Sequence, residues 1–119
     1  MGFTSRQDAL DIQNEMPWEA RDRPATLYKM LSATAQAFPD RPALSYQLLS
    51  GPTDKAQTLT WQQFHDQCCQ AANLFRSLKL AEDDVIALVL PNCVETAVAT
   101  IGGAIAGIVN PVNPLLEPE

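Results

Sequence analysis

Positive charge is scarce in this 119-residue chain: eight Lys and Arg stand against fourteen Asp and Glu, a net charge of −6. With no basic cluster and no basic helix face, the chain lacks the electrostatic footprint of a nucleic-acid binder. Histidine is nearly absent, with His65 alone, so any imidazole chemistry rests on one residue. The three cysteines, two of them adjacent at Cys68 and Cys69, form no disulfide framework and match no metal-ligand spacing, which points to a reduced, cytoplasmic setting. A long apolar run is missing as well. Residues 1–24 carry Arg6, Asp8, Asp11, Glu15, Glu19, Arg21, Asp22 and Arg23, so they lack the apolar core of a signal peptide. The most apolar window, 93–109, contains Glu95 and falls short of the about 20 residues of a membrane span. It reads as a buried helix followed by a strand, not as a transmembrane segment.

What the chain does have is an apolar content of 46%, ordinary for a globular protein and too high for a disordered one. Its centre of organisation is the stretch 85–116. Val85-Ile86-Ala87-Leu88-Val89-Leu90 is apolar without alternation, the pattern of a strand covered on both faces in a parallel sheet. Pro91-Asn92 ends it, with Asn92 placed to cap a helix over about 93–106 and Glu95 in its first turn, where the helix dipole favours a negative charge. Val94, Ala97, Val98, Ile101, Ala104 and Ile105 recur at helical spacing, and Gly107 fits the left-handed residue that closes such a helix. A second strand follows at about 108–112, stopped by Pro111 and Pro114. Strand, helix and strand make a βαβ unit with a right-handed crossover. Such a unit needs more sheet at its edges and a helical layer on each face. The chain stops at Pro118-Glu119, so the sequence is expected to be the beginning of a larger α/β domain, an incomplete three-layer fragment.

Upstream, residues 1–24 show no sustained period and read as a loosely ordered leader, with Met16, Pro17 and Trp18 as a local anchor on the body. A helix is expected over about 26–37, with Leu27, Met30, Leu31, Thr34, Ala35 and Phe38 in one stripe. A hairpin with a long tip spans about 42–60. Thr60-Trp61-Gln62-Gln63 is a capping box, and Leu59 with Phe64 occupies the hydrophobic-staple positions. The helix that follows, about 61–78, aligns Trp61, Phe64, Cys68, Ala71, Phe75 and Leu78 on one face. Lys79 to Asp84 is a polar turn into the central strand.

Groups able to do chemistry are few. His65 lies off the apolar stripe of its helix and reads as a solvated or helix-flanking residue before it reads as a general base. Cys68 and Cys69 read as a buried and a half-buried helix residue, not a reactive pair. Gly102, Gly103 and Gly107 sit late in a helix and at its end, whereas phosphate loops open a helix; close helix packing and a cap explain them better. Asp83-Asp84 precede a strand, while the acids of a phosphorelay receiver lie at strand carboxyl ends.

These segments together resemble a known family. Leu59-Thr60-Trp61-Gln62-Gln63-Phe64 is similar to the first core motif of the AMP-forming acyl-activating enzymes, the group of acyl-CoA synthetases, luciferases and peptide-synthetase adenylation domains; Gln63 replaces the usual Glu and Phe64 the usual Leu. Val85 through Pro91-Asn92 resembles the family strand that ends in Pro-Asn. Gly103-Ala104-Ile105-Ala106-Gly107-Ile108-Val109-Asn110-Pro111 resembles the second core motif. Order and spacing agree across 27–119, and 110–116 looks most like the acyl-CoA synthetase branch.

The resemblance implies that residues 25–119 begin the large N-terminal domain of a ligase that activates a fatty or aryl acid with ATP to an acyl-adenylate and passes it to coenzyme A. ATP, Mg and coenzyme A are implied for the parent, and none for this stretch. The phosphate loop and the catalytic lysine of the family have no counterpart among these residues, so no catalytic, cofactor-binding or metal-binding residue is assigned. The chain alone is expected to be inactive, with the remainder of the parent enzyme as its partner. The alternative is a free-standing interaction module that self-associates through its open sheet edge.

Overall fold

The computed structural model describes residues 4–49, 51–81 and 83–115. Expectations that fall on positions 1–3, 50, 82 and 116–119, in the leader, the hairpin tip, the turn before the central strand and the last four residues, lie outside the described residues. In chain order the elements are α1 (Arg6–Asn14), a short 3-10 helix (Trp18–Ala20), α2 (Leu27–Ala37), β1 (Pro42–Tyr46), β2 (Gln57–Thr60), α3 (Trp61–Ser77), β3 (Val85–Leu88), α4 (Val94–Ala106) and β4 (Ile108–Pro111).

Helix α1 is the element that periodicity does not reveal. It is organised by its first turn: the Ser5 hydroxyl accepts from the Asp8 amide, and the Asp8 carboxylate accepts from the Ser5 amide at 2.9 Å. That is a capping box, and it needs no apolar face; no residue of α1 is buried. Met16 and Trp18 pack locally beside it and stay 46% and 62% exposed, with the Arg23 guanidinium 4.5 Å from the Trp18 ring centre.

The hairpin forms as the sequence predicts. Strands β1 and β2 pair antiparallel, Leu44 opposite Leu59 and Tyr46 opposite Gln57, with an irregularity between Pro42 and Leu44. Helix α3 starts directly from β2 and is well satisfied at its N-terminus. The Trp61 amide donates to Arg41 O and the Gln62 amide to Pro39 O, each at 3.0 Å, while the Thr60 hydroxyl and the Gln63 side chain complete the expected capping box. Leu59 and Phe64 of the staple are both buried. The buried face of α3 runs through Phe64, Cys68 and Ala72. The predicted stripe extends too far, because Leu78 is 63% exposed: α3 ends at Ser77, and Lys79 turns the chain with a φ of 59°.

The βαβ unit is also present. Strands β3 and β4 pair in parallel, Val85 beside Ile108 and Leu88 beside Pro111, and α4 crosses between them. Three details correct the sequence reading. The strand ends at Leu88 and has one covered face, with Ile86 and Leu88 buried and Val85 and Ala87 exposed, because the described helices lie on one side of it. Cys93, not Asn92, is the N-cap of α4, and its side chain makes no cap bond; Thr96 Oγ1 donates instead to Pro91 O. Gly107 is extended, φ −171°, not left-handed. The hairpin and the βαβ unit remain two separate two-stranded sheets. The core between them gathers Leu31, Leu59, Phe64, Cys68 and Val94, with Leu44, Trp61, Val98 and Ile101 at its border.

Candidate functional site

The contact of α3 with α4 is built on small residues. A Cβ on Gly102 would lie 2.6 Å from Ala71 Cβ and 2.8 Å from Cys68 O, and one on Gly103 would lie 2.6 Å from Val109 Cγ2. Both glycines are buried inside α4, where their amides belong to the helix ladder, and the Gly107 amide donates to Gly103 O at 2.8 Å. These amides are therefore not presented to a phosphate; the close-packing reading holds for Gly102 and Gly103, while Gly107 caps α4 in an extended, not left-handed, conformation. Asp83 and Asp84 lie ahead of β3, at its amino end, and the Asp84 carboxylate accepts from the Ala81 amide at 2.8 Å.

A polar cluster joins α2 to α3. His65 Nδ1 lies 3.2 Å from Asp66 Oδ1, His65 Nε2 lies 3.1 Å from Ser32 Oγ, and Cys69 Sγ, one turn along α3, lies 3.6 Å from the same Nε2. The Tyr28 ring stands 6.1 Å from the imidazole centre. With Nδ1–H donating to the carboxylate, the Nε2 lone pair faces Ser32 and Cys69. The His65 side chain is 20% exposed and Asp66 55%, so of the two ordinary sequence readings the helix-flanking one applies. Asp66 also accepts from Gln62 Nε2 at 2.8 Å.

Serine, histidine and aspartate in hydrogen-bonded sequence suggest nucleophilic catalysis, but the backbone argues against it. Ser32 lies in the middle of α2, where neighbouring amides are engaged in the helix ladder and none is free to stabilise an oxyanion. The cysteines are poor nucleophiles in this setting. Cys68 is fully buried, and burial, then the neighbouring Cys69, pushes its thiol up to about 12. Burial, followed by the nearby Asp66 carboxylate, also raises Cys69.

Sequence reasoning weighed His65 and Cys69 separately and did not connect them. The i, i+4 spacing of the two was legible. Ser32 was not, because it belongs to another helix.

Beside this cluster, a cavity of about 540 Å³ opens where the start of α2 meets α3 and α4, lined by Tyr28, Cys69, Asn73, Arg76 and Ile105 among others. The Arg76 guanidinium donates to Ile105 O at 3.2 Å, tying α3 to the carboxyl end of α4. Neither the cavity nor the polar cluster presents a set of groups fitted to a nucleotide triphosphate, and no catalytic step is assigned to them. No helix of the described residues is long and apolar enough to cross a membrane.

Comparison with known proteins places this architecture. A family model described as AMP-binding enzyme matches residues 31–119. The chain is 32% identical over 108 residues to a marinolic acid-CoA ligase of Pseudoalteromonas sp., covering 89% of this chain and 16% of that protein. It is 29% identical over 100 residues to a peroxisomal benzoate-CoA ligase of Arabidopsis thaliana, covering 83% of this chain and 16% of that protein. Among solved structures it resembles a Mycobacterium tuberculosis fatty acyl CoA synthetase, with a TM-score of 0.62 and 27% identity over 76% of this chain and 17% of the other. A fatty acyl-adenylate ligase from L. pneumophila superposes with a TM-score of 0.68 over 77% of this chain and 16% of that one; at 17% identity the likeness concerns the fold. The chain thus spans about 16% of the length of these curated relatives, in their N-terminal portion.

Proposed function

Because the chain belongs to the AMP-binding enzyme family, whose members matched here are acyl-CoA ligases and adenylating enzymes, we propose that it supplies the N-terminal scaffold of an enzyme that activates a fatty or aryl carboxylic acid with ATP and transfers the acyl group to coenzyme A. The observation that carries this reading is the family match over residues 31–119, which takes in both the capped α3 and the βαβ unit. In this role α3 and α4 form one helical layer on the β3–β4 sheet. The groups that bind ATP, Mg and coenzyme A belong to other parts of the parent enzyme.

The 119 residues alone then have no ligase activity. Acid-dependent exchange of labelled pyrophosphate into ATP tests this: no exchange is expected from the purified chain, and robust exchange from a protein that extends it by the remainder of the family domain. Turnover by the chain itself would overturn the scaffold reading. The three thiols, all free, support a reducing compartment, which we take to be the cytoplasm. A second reading is favoured by one observation. Val85 and Ile108 are 56% and 49% exposed on the β3–β4 sheet, and Val89, just past the end of β3, is 60% exposed, so a chain on its own would bury them by self-association.

A further inference from the structure

We propose that His65 Nε2 and Cys69 Sγ, with the Ser32 hydroxyl beside them, form an open site for a thiophilic divalent cation of the zinc type. The spacing of the two donors is compatible with their sharing one ion. For zinc–nitrogen and zinc–sulfur bonds of about 2.05 and about 2.3 Å, the 3.6 Å between Nε2 and Sγ corresponds to an N–Zn–S angle of about 110°, the tetrahedral value.

The imidazole is already oriented as a ligand. Its Nδ1 faces the Asp66 carboxylate at 3.2 Å, and metal-bound histidines characteristically donate their other ring N–H to such a group, which fixes the tautomer and raises the basicity of the ligating nitrogen. Ser32 Oγ, 3.1 Å from Nε2, comes from a different helix, so a bound cation would pin α2 to α3. Among the described residues no three His, Cys, Asp or Glu side chains converge on one point. The site therefore has two strong donors and a hydroxyl, with water completing the shell from the cavity that Cys69 lines. It is weaker than a four-ligand structural site. On binding, Cys69 gives its proton to solvent and the thiolate takes the metal. Neither Cys68, fully buried, nor Cys93, whose thiol lies 3.1 Å from Thr96 Oγ1, has an imidazole beside it.

Titration of the 119-residue chain with Cd²⁺, followed by the ultraviolet thiolate-to-cadmium charge-transfer band, tests the site. One saturable equivalent is expected, lost in Cys69→Ser and retained in Cys93→Ser. His65→Gln should weaken binding at least tenfold and Asp66→Asn by about tenfold, the usual effect of removing the carboxylate behind a ligating histidine. Zn²⁺ should raise the thermal midpoint of the parent chain and not of Cys69→Ser. A band that survives Cys69→Ser, one that disappears in Cys93→Ser, or an affinity untouched by His65→Gln would each overturn the proposal, the last by reducing it to adventitious thiol binding.

Discussion

Gly102 marks the closest approach of α3 and α4, and its need for the missing side chain is steric. A Cβ there would meet the backbone oxygen of Cys68 at 2.8 Å as well as Ala71 Cβ at 2.6 Å, and a helix backbone cannot step aside alone. At Gly103 the short contact is with the end of the Val109 side chain, which can rotate. Ala is the better helix former by about 1 kcal/mol, whereas overpacking costs about 1–3 kcal/mol. Gly102→Ala is therefore expected to destabilise the chain by about 1–2 kcal/mol and Gly103→Ala by less, as urea midpoints would show; the reverse order would contradict the packing account. The sequence showed that these glycines lie late in a helix and away from any phosphate loop. Which neighbour each one touches depends on other elements: Gly102 lies against α3, some thirty residues earlier, and Gly103 against Val109 of β4. The Ser32–His65–Cys69 cluster is of the same kind: its i, i+4 half was readable, and its interhelix half was not.

Helix ends decide most of what happens at the scale of elements. The capping box at Thr60 and Gln63 is local chemistry and was legible, as was the staple of Leu59 and Phe64. The same local chemistry at Ser5 and Asp8 went unread because α1 has no apolar stripe to draw attention to it. At the other end of α3, Lys79 adopts a φ of 59°, the left-handed conformation that glycine usually fills after a helix. Lys79→Gly is expected to raise stability by about 0.5–1 kcal/mol, the relief of the Cβ clash being partly offset by the greater freedom of the unfolded chain. A lower melting temperature for this variant would argue against the left-handed turn. Gly107 shows the converse: assigned to a left-handed cap by its position, it is extended, and a Cβ on it would stand 3.3 Å from Asp84 O. The constraint there comes from the neighbouring turn.

Taken whole, the molecule is open. Its radius of gyration is 18.0 Å, against about 13.5 Å for a compact domain of this length. Among the described residues the β3–β4 sheet is covered on one face, with Val85 exposed on the other and Val89 exposed just past the strand end. A chain with this surface should associate as its concentration rises, and sedimentation velocity is expected to show larger species at high concentration. Val89→Lys should shift that equilibrium towards monomer with little change in stability, since the residue is 60% exposed. A monomer at all concentrations, for parent and variant alike, would refute self-association.

The sequence by itself determined the element types and their order from the hairpin onwards, the capped start of α3, the βαβ unit and the family these represent. All of these rest on local periodicity, caps and short motifs. Tertiary structure alone decided that β3 is covered on one face, that His65 meets Ser32, and that Gly102 rather than its neighbour lies against a rigid backbone. Those outcomes depend on which helix comes to rest beside which, and packing between distant segments leaves no period in the chain.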